Sequence, residues 1–241
     1  MRLAVISDIH GNLRALEAVH AEIRQASPDL VLNLGDCVSG PLWPEETAQY
    51  LIAEGWPTVR GNHDRTVHDV ATAGNDPIDR FAYGSLSANS LSWLSALPLT
   101  FRHGDVLACH GSPTDDETFL LEDDGGNHFF PSTESRIRAK LGNADAELVL
   151  CGHTHTPRVA RLDGQTVLNP GSVGIQAFPG LTLTGSPHAR FAIANRSNGR
   201  WSFTQHVIEY DWRAAADRAV ACGSTDWRHG LLSGYSARSA P

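Results

Sequence analysis

Asp, His and Asn recur in this chain in five short clusters: Ser7-Asp8-Ile9-His10-Gly11-Asn12, Gly35-Asp36, Gly61-Asn62-His63-Asp64, Cys109-His110-Gly111 and Gly152-His153-Thr154-His155. Each follows an apolar run and carries a glycine, which lets the backbone turn sharply and lets groups crowd together. The candidate donors are carboxylate and amide oxygens and imidazole nitrogens, with no thiolate. That set suits borderline-to-hard divalent ions such as Mn²⁺, Fe²⁺ or Zn²⁺ rather than a structural Cys₄ zinc. Asp8, His10, Asp36, Asn62, His110, His153 and His155 are too many side chains for one tetrahedral ion. If one carboxylate bridges, they serve two ions roughly 3.5–4 Å apart, the arrangement that clamps attacking and leaving oxygens in an in-line displacement. Two dications, two aspartates and a bridging hydroxide sum to about +1, so an acidic chain keeps a local positive pocket that favours a phosphate ester.

For five clusters to act together, the strands before them must end on one edge. The pattern predicts a strand over Leu3–Ser7 and a helix from Asn12 to about Ala26, with Leu13, Leu16, Val19 and Ile23 on one stripe. A second strand lies in Asp29–Leu34, a helix opens at Pro44 and runs through Ile52, and Thr58-Val59-Arg60 reads as a third strand. This alternation means βαβ units and a parallel sheet, with ligands gathered outside the carboxyl ends of the strands. Asn75-Asp76-Pro77 signals a helix start, Leu86–Leu97 a helix, and Leu99–Arg102 with Val106–Cys109 a hairpin around His103-Gly104-Asp105. Ser112–Ser132 is polar and acidic and reads as a long surface loop, a candidate lid, before a helix over Thr133–Leu141. Glu147–Cys151, Arg158–Leu162, Thr166–Asn169, His188–Ala194 and Trp201–Ile208 are short strands expected to form a second, largely antiparallel sheet. Asp211–Ala221 reads as the last helix and the tail after Gly234 as frayed. No internal repeat or linker divides the chain, so one α/β domain over residues 1–241 is expected.

Composition removes several function classes. The 241 residues carry 19 Lys+Arg against 27 Asp+Glu, a net charge of −8, with no basic cluster for a nucleic-acid backbone. No apolar stretch is long enough to span a membrane. Met1 leads directly into Leu3-Ala4-Val5-Ile6, which leaves no room for a signal peptide. Cys37, Cys109, Cys151 and Cys222 form no CxxC pair and read as free thiols, the first three as small packing hydrophobes. A cytoplasmic protein is expected.

In order, Asp8-x-His10, Gly35-Asp36, Gly61-Asn62-His63-Asp64, His110 and Gly152-His153-x-His155 resemble the calcineurin-like metallophosphoesterase superfamily. The compact chain and its Asp-Ile-His-Gly-Asn start are similar to the small bacterial single-domain branch. The resemblance implies a four-layer αββα sandwich of two mixed sheets flanked by helices. It implies one metal held by Asp8, His10, Asp36 and His155 and another by Asp36, Asn62, His110 and His153, with Asp36 bridging. Mn²⁺ is the first choice of ion, with Fe²⁺, Zn²⁺ or Ni²⁺ as alternatives. A metal-bridged water would attack phosphorus, His63 would protonate the leaving oxygen, and Asp64 would orient that imidazole.

The implied activity is hydrolysis of small phosphate esters, either monoesters or diesters. The alternative is a non-catalytic, protein-interaction scaffold of the same fold, against which His63 argues. Protein Ser/Thr phosphatases of the superfamily extend the second block as Gly-Asp-x-x-Asp-Arg-Gly. Here Gly35-Asp36-Cys37-Val38-Ser39-Gly40 lacks the second Asp and the Arg, so phosphoprotein specificity is not implied. Arg60, Arg65 and Asn12 are candidate substrate contacts, Asn12 serving first as a helix cap. Gly40–Trp43 and Ser112–Pro131, with His128, are the segments expected to set specificity. A metallo-β-lactamase-type His-x-His continues as His-x-His-x-Asp-His, which His153-Thr154-His155-Thr156-Pro157-Arg158 does not match. Oligomeric state is left open.

Overall fold

Alternate side chains of the first strand, β1 (Arg2–Ile6), pack into two different interiors, and this sets the layering. Leu3 and Val5 point into one apolar cluster, Ala4 and Ile6 into another. β1 pairs parallel with β2 (Leu30–Asn33), Leu3 opposite Leu30 and Val5 opposite Leu32. On its other side it pairs antiparallel with β10 (Ala189–Ser197), which pairs in turn with β11 (Arg200–Ile208). The first sheet therefore has the order β11-β10-β1-β2. The computed structural model describes residues 1–69, 76–126, 128–177 and 185–236. From residue 237 on, the frayed tail expected after Gly234 lies outside these.

A second sheet of five strands stacks on the first. Its centre is parallel: β4 (Val106–Cys109), β7 (Leu148–Leu150) and β9 (Gln165–Asn169). β3 (Thr100–His103) and β8 (Arg158–Leu162) close its edges antiparallel. Leu3, Val5, Leu32, Ala192 and Ala194 of the first sheet meet Val106, Ala108, Leu148, Leu150 and Leu168 of the second.

Helices cover the two outer faces. Over the first sheet lie α1 (Leu13–Ala26), α2 (Pro44–Glu54) and α7 (Trp212–Ala221), placing Leu16, Val19, Ile23, Leu51 and Ala216 against Ala4, Ile6, Phe191 and Ile193. Over the second lies α6 (Glu134–Leu141), whose Ile137 and Leu141 pack on Leu107, Cys109, Val149 and Cys151. This is the four-layer sandwich expected. Short helices α3 (Asn62–His68), α4 (Pro77–Ser85) and α5 (Ala88–Ser95) run beside the strand ends, and α8 (Thr225–Ser233) follows α7.

Four local expectations differ from what is observed. Thr58–Arg60 forms no strand, only a single parallel bridge from Thr58 to Asn33. The second sheet is not mainly antiparallel, because α6 supplies the crossover that parallel pairing of β4 and β7 requires, and β10 and β11 join the first sheet. Residues 112–132 hold a small hairpin, β5 (Glu122–Asp124) with β6 (Phe129–Pro131). The last helix is α8, not α7.

No helix among the described residues is long and apolar enough to cross a membrane. The four cysteines are free, and Cys37, Cys109 and Cys151 are buried in the apolar clusters. Leu150 is fully buried between the sheets. Leu150→Ala should lower unfolding free energy by about 2–5 kcal/mol in denaturant titrations; a loss below about 1 kcal/mol would mean that the sheets do not close on this side chain.

Candidate metal centre

β1, β2, β4 and β7 each run out into one of the polar clusters, and the clusters meet. The chain reaches this geometry through unusual backbone. Asp8, His10, Asp36, His153 and His155 have φ of 55°, 52°, 53°, 69° and 54°. They are five of the seven non-glycine residues with positive φ among those described. Each such conformation costs on the order of 1–3 kcal/mol and persists where the surroundings over-determine it.

Here the loops hold one another. Asp8 N–H donates to Gly35 O at 3.0 Å, His10 N–H to Asp36 O at 2.9 Å and Gly152 N–H to His110 O at 2.8 Å. Asp8 O accepts from Ser172 Oγ at 2.8 Å and from Gly174 N–H at 2.9 Å. Two glycines are required by close approach: a Cβ at Gly61 would collide with the Asp36 carboxylate, and one at Gly152 with Ser7 Oγ.

The inward atoms of Asp8, His10 and His155 lie within 4.8 Å of one another, and so do those of Asp36, His110 and His153. All six residues are buried. Asp36 Oδ2 sits 3.3 Å from His110 Nε2 and 3.8 Å from His10 Nε2, so it faces both groups. Asn62 Oδ1 is 3.1 Å from His110 Nε2. The seven side chains picked from the sequence are thus brought together.

Backbone carbonyls orient the rings. His10 Nδ1–H donates to Ser39 O at 2.8 Å and His110 Nδ1–H to Leu34 O at 2.7 Å, turning each Nε2 inward. His153 is reversed: its Nε2–H donates to Glu117 O at 2.9 Å, which leaves Nδ1 for a ligand bond.

Burial pushes the His10 imidazole down to about 4 and His153 to about 3, so these rings are neutral, the form that binds metal. Burial raises Asp8 to about 7 and the neighbouring Asp36 charge adds to this, although the His110 imidazole opposes. Asp36 is held low by His110 and His63 against the cost of its burial. Neutral His10 presents its Nε2 lone pair to His155 Nε2 at 3.1 Å, and His155 Nε2 faces Asp8 Oδ1 at 3.5 Å. Acceptor atoms converging in this way fit a cation between them, and an O/N donor set without thiolate fits a hard-to-borderline dication.

His63 lines the cavity beside this cluster, its ring 5.5 Å from that of His10. The sequence reading made Asp64 its orienting partner, and the geometry corrects this. Asp64 is fully buried and accepts from Asp36 N–H at 2.9 Å, Cys37 N–H at 2.8 Å and Gly61 N–H at 2.9 Å. It sits at the third position of α3 and reaches back to the helix N-terminus, tying the second block to the third. The partner of His63 is Asp79 on α4, whose Oδ1 accepts from His63 Nδ1–H at 3.0 Å. Asp79 Oδ1 also accepts from Ser39 Oγ at 2.5 Å and Oδ2 from Thr66 Oγ1 at 2.7 Å. Burial acts against a charged His63, but Asp36 and the Asp79 hydrogen bond carry it up to about 9.

The three candidate substrate contacts are engaged elsewhere. Asn12 is fully buried; its Oδ1 accepts from Ala15 N–H at 3.2 Å and its Nδ2 donates to Gly174 O at 2.7 Å. Arg65 pairs with Asp116 at 3.0 Å and Glu117 at 2.6 Å, and Arg60 with the same Asp116 at 3.3 Å. Residues 112–131 back the centre rather than cover it. Phe119 stacks on His153 at 4.7 Å, Leu120 and Leu121 are buried, and Lys140 holds Phe119 O at 2.7 Å and Glu122 O at 2.6 Å. His128 packs on Phe130 and does not line the cavity.

The cavity in front of the centre has a volume of about 500 Å³. Beyond the donor cluster its walls come from Pro77, Ile78, Ile175, Asp226 and Trp227. None of these lies in Gly40–Trp43 or Ser112–Pro131, where specificity was expected. Pro170-Gly171-Ser172, which follows β9 and whose Ser172 Oγ holds Asp8 O, repeats the strand-then-polar pattern by which it was findable.

If Asp64 acts on the loops, Asp64→Ala leaves three buried N–H groups without acceptors, at about 1–3 kcal/mol each. It should then lower stability by about 3 kcal/mol or more in denaturant unfolding. A variant with unchanged stability and lost activity would restore Asp64 as the imidazole partner.

The family model for the calcineurin-like phosphoesterase superfamily domain matches residues 1–186. An uncharacterized protein of Methanocaldococcus jannaschii is 26% identical over 254 residues, covering 93% of this chain and 94% of the relative. Among solved structures, a metallophosphoesterase from Sphaerobacter thermophilus is similar with a TM-score of 0.76 and 25% identity, over 96% of this chain and 98% of that one. A hypothetical protein from Pyrococcus horikoshii OT3 shares the fold with a TM-score of 0.80 at 19% identity, over 98% and 99% of the two chains. With the metal-ligand geometry beside these matches, the chain belongs to the calcineurin-like phosphoesterase superfamily.

Proposed function

We propose that this protein is a dinuclear metal-dependent phosphoester hydrolase acting as one unit over the whole chain. The observation that carries the reading is the pair of buried three-residue donor groups, both facing Asp36, on the floor of a cavity walled by His63. When bound, two divalent ions, Mn²⁺ first among them, supply Lewis-acid polarisation and bring the pKa of a coordinated water toward neutrality.

The side chains then divide as follows. Asp8, His10 and His155 hold one ion and Asn62, His110 and His153 the other, with Asp36 shared. The Ser39, Leu34 and Glu117 carbonyls fix the tautomers of His10, His110 and His153 before any ion arrives. His63 is the general acid. With Nδ1–H given to Asp79, the proton available to a departing oxygen is the one on Nε2. Asp79 sets the ring orientation and stabilises the imidazolium, the task the sequence reading gave to Asp64. The same parts serve monoesters and diesters, and comparing p-nitrophenyl phosphate with its bis ester separates them. A cavity-lining histidine backed by a buried carboxylate favours an enzyme over a non-catalytic scaffold.

Chelator dialysis should abolish hydrolysis, and Mn²⁺ should restore it. Asp36→Asn should reduce bound metal from about two ions per chain to one or fewer; an unchanged metal content refutes the shared-ligand role. His63→Ala should keep its metal and lose about 10²–10⁴-fold in kcat, with larger losses for alkyl leaving groups than for p-nitrophenolate. Asp79→Asn should show the same leaving-group signature at smaller amplitude. Uniform losses across leaving groups would make Asp79 structural only.

A further inference from the structure

The cavity is in the size range of sites that enclose a small organic ligand, so the ester's organic part also sits inside it. Away from the donors its wall includes an aromatic and aliphatic patch of Trp227, Pro77, Ile78 and Ile175. The Trp227 ring stands 6.0 Å from His10 at 70°, and Gly40 lies so close beneath it that a Cβ there would approach Trp227 Cη2 to 2.9 Å. α8 is seated by Leu231, which is buried in the main core, and by Gly230 lying against Ala177. The half-buried indole lines the same cavity as Pro77 and Ile78 at the start of α4. The α8 part of the wall lies beyond the segment that the family model matches.

The formal charge of this wall is one-sided. Asp76 and Asp226 line it beside the hydroxyl-bearing Ser224 and Ser236, and among the described residues no lysine or arginine does. Arg60 and Arg65 line a separate, shallower depression and are paired there with Asp116 and Glu117. Additional phosphates on a substrate are normally met by charge-assisted hydrogen bonds from Arg or Lys. Here they would meet two carboxylates. The wall offers instead a face for a flat ring and acceptors for hydroxyl or amine donors.

We propose that the substrate carries a single phosphoryl group on a flat, donor-bearing organic part, the chemistry of a nucleoside monophosphate, with the ring against Trp227 and donors toward Asp76 and Asp226. This rests on the phosphoester-hydrolase reading. In the reaction, a water oxygen forms the new bond to phosphorus and the bond to the ester oxygen breaks, its electron pair staying on that oxygen. His63 gives that oxygen a proton, a proton from the water restores His63, and nucleoside and inorganic phosphate leave.

The test uses the full chain loaded with Mn²⁺ on adenosine mono-, di- and triphosphate, glycerol phosphate and p-nitrophenyl phosphate. The monophosphate should exceed the di- and triphosphate, and also glycerol phosphate, by about tenfold or more in kcat/KM. Trp227→Ala should erase the advantage over glycerol phosphate, while Trp227→Phe, which keeps an aromatic face and guards against a folding defect, should retain most of it. Asp226→Lys should narrow the gap between mono- and triphosphate. Turnover of p-nitrophenyl phosphate with equal or better turnover of the triphosphate, or with none of any nucleotide, overturns the substrate class and leaves the hydrolase reading standing. No turnover of any ester by metal-loaded protein sinks the hydrolase reading itself.

Discussion

Buried acceptor atoms that face one another are the constraint on which this molecule is organised. Carboxylate oxygens and imidazole nitrogens of four loops stand 3.1–3.9 Å apart with almost no solvent around them; burial keeps the His10 and His155 rings neutral, while Asp36 and Asp8 carry His110 up to about 10 against its burial. Desolvated groups of this kind repel unless a cation lies among them. The protein holds them in place through features that would otherwise be liabilities: left-handed backbone at five of the clustered residues, glycines with no room for a Cβ, and a carboxylate spent on three backbone N–H groups. Two stacked sheets supply the rigidity that makes this possible, because their parallel strands end together and each loop can be braced by the next.

That division of labour explains why Asp64, inside the third block, and Asp79, outside it, have unrelated tasks. Asp64 ties two loops, whereas Asp79, from a separate helix, reaches the His63 ring. The departure in the second block makes room for this. Where the larger phosphatases have a second Asp, this chain has Ser39, and its hydroxyl donates to Asp79 rather than supplying a carboxylate. A carboxylate beside His63 is present although the local motif lacks it.

Much of this was legible in the sequence wherever neighbouring residues decide the outcome. Asn12 caps α1, Pro44 opens α2, and each polar cluster sits immediately after an apolar strand or at a helix start. The seven donors could be picked because type, glycine and strand end coincide within a few positions. What escaped was decided at long range. Nothing near Asp79 marks it as the partner of a histidine 16 residues away. Arg65 follows the third block directly, yet its charge is claimed by Asp116, 51 residues on. The placement of β10 and β11 in the first sheet, and the Trp227 wall, likewise depend on pairings and packing that no local pattern encodes.

The position of β1 has a consequence for how the chain is made. β1 is synthesised well before β10, yet it lies in the middle of a sheet, between β2 and β10. Its β2 side is satisfied early, but β10 begins at Ala189, about 180 residues later. At about 5–20 residues per second, that is about 10–40 seconds during which an apolar strand presents an unpaired edge. The hazard is edge-to-edge association between nascent chains, as for any exposed strand. The seven donor side chains are all made by residue 155, yet β1 stays exposed on one side until β10 arrives.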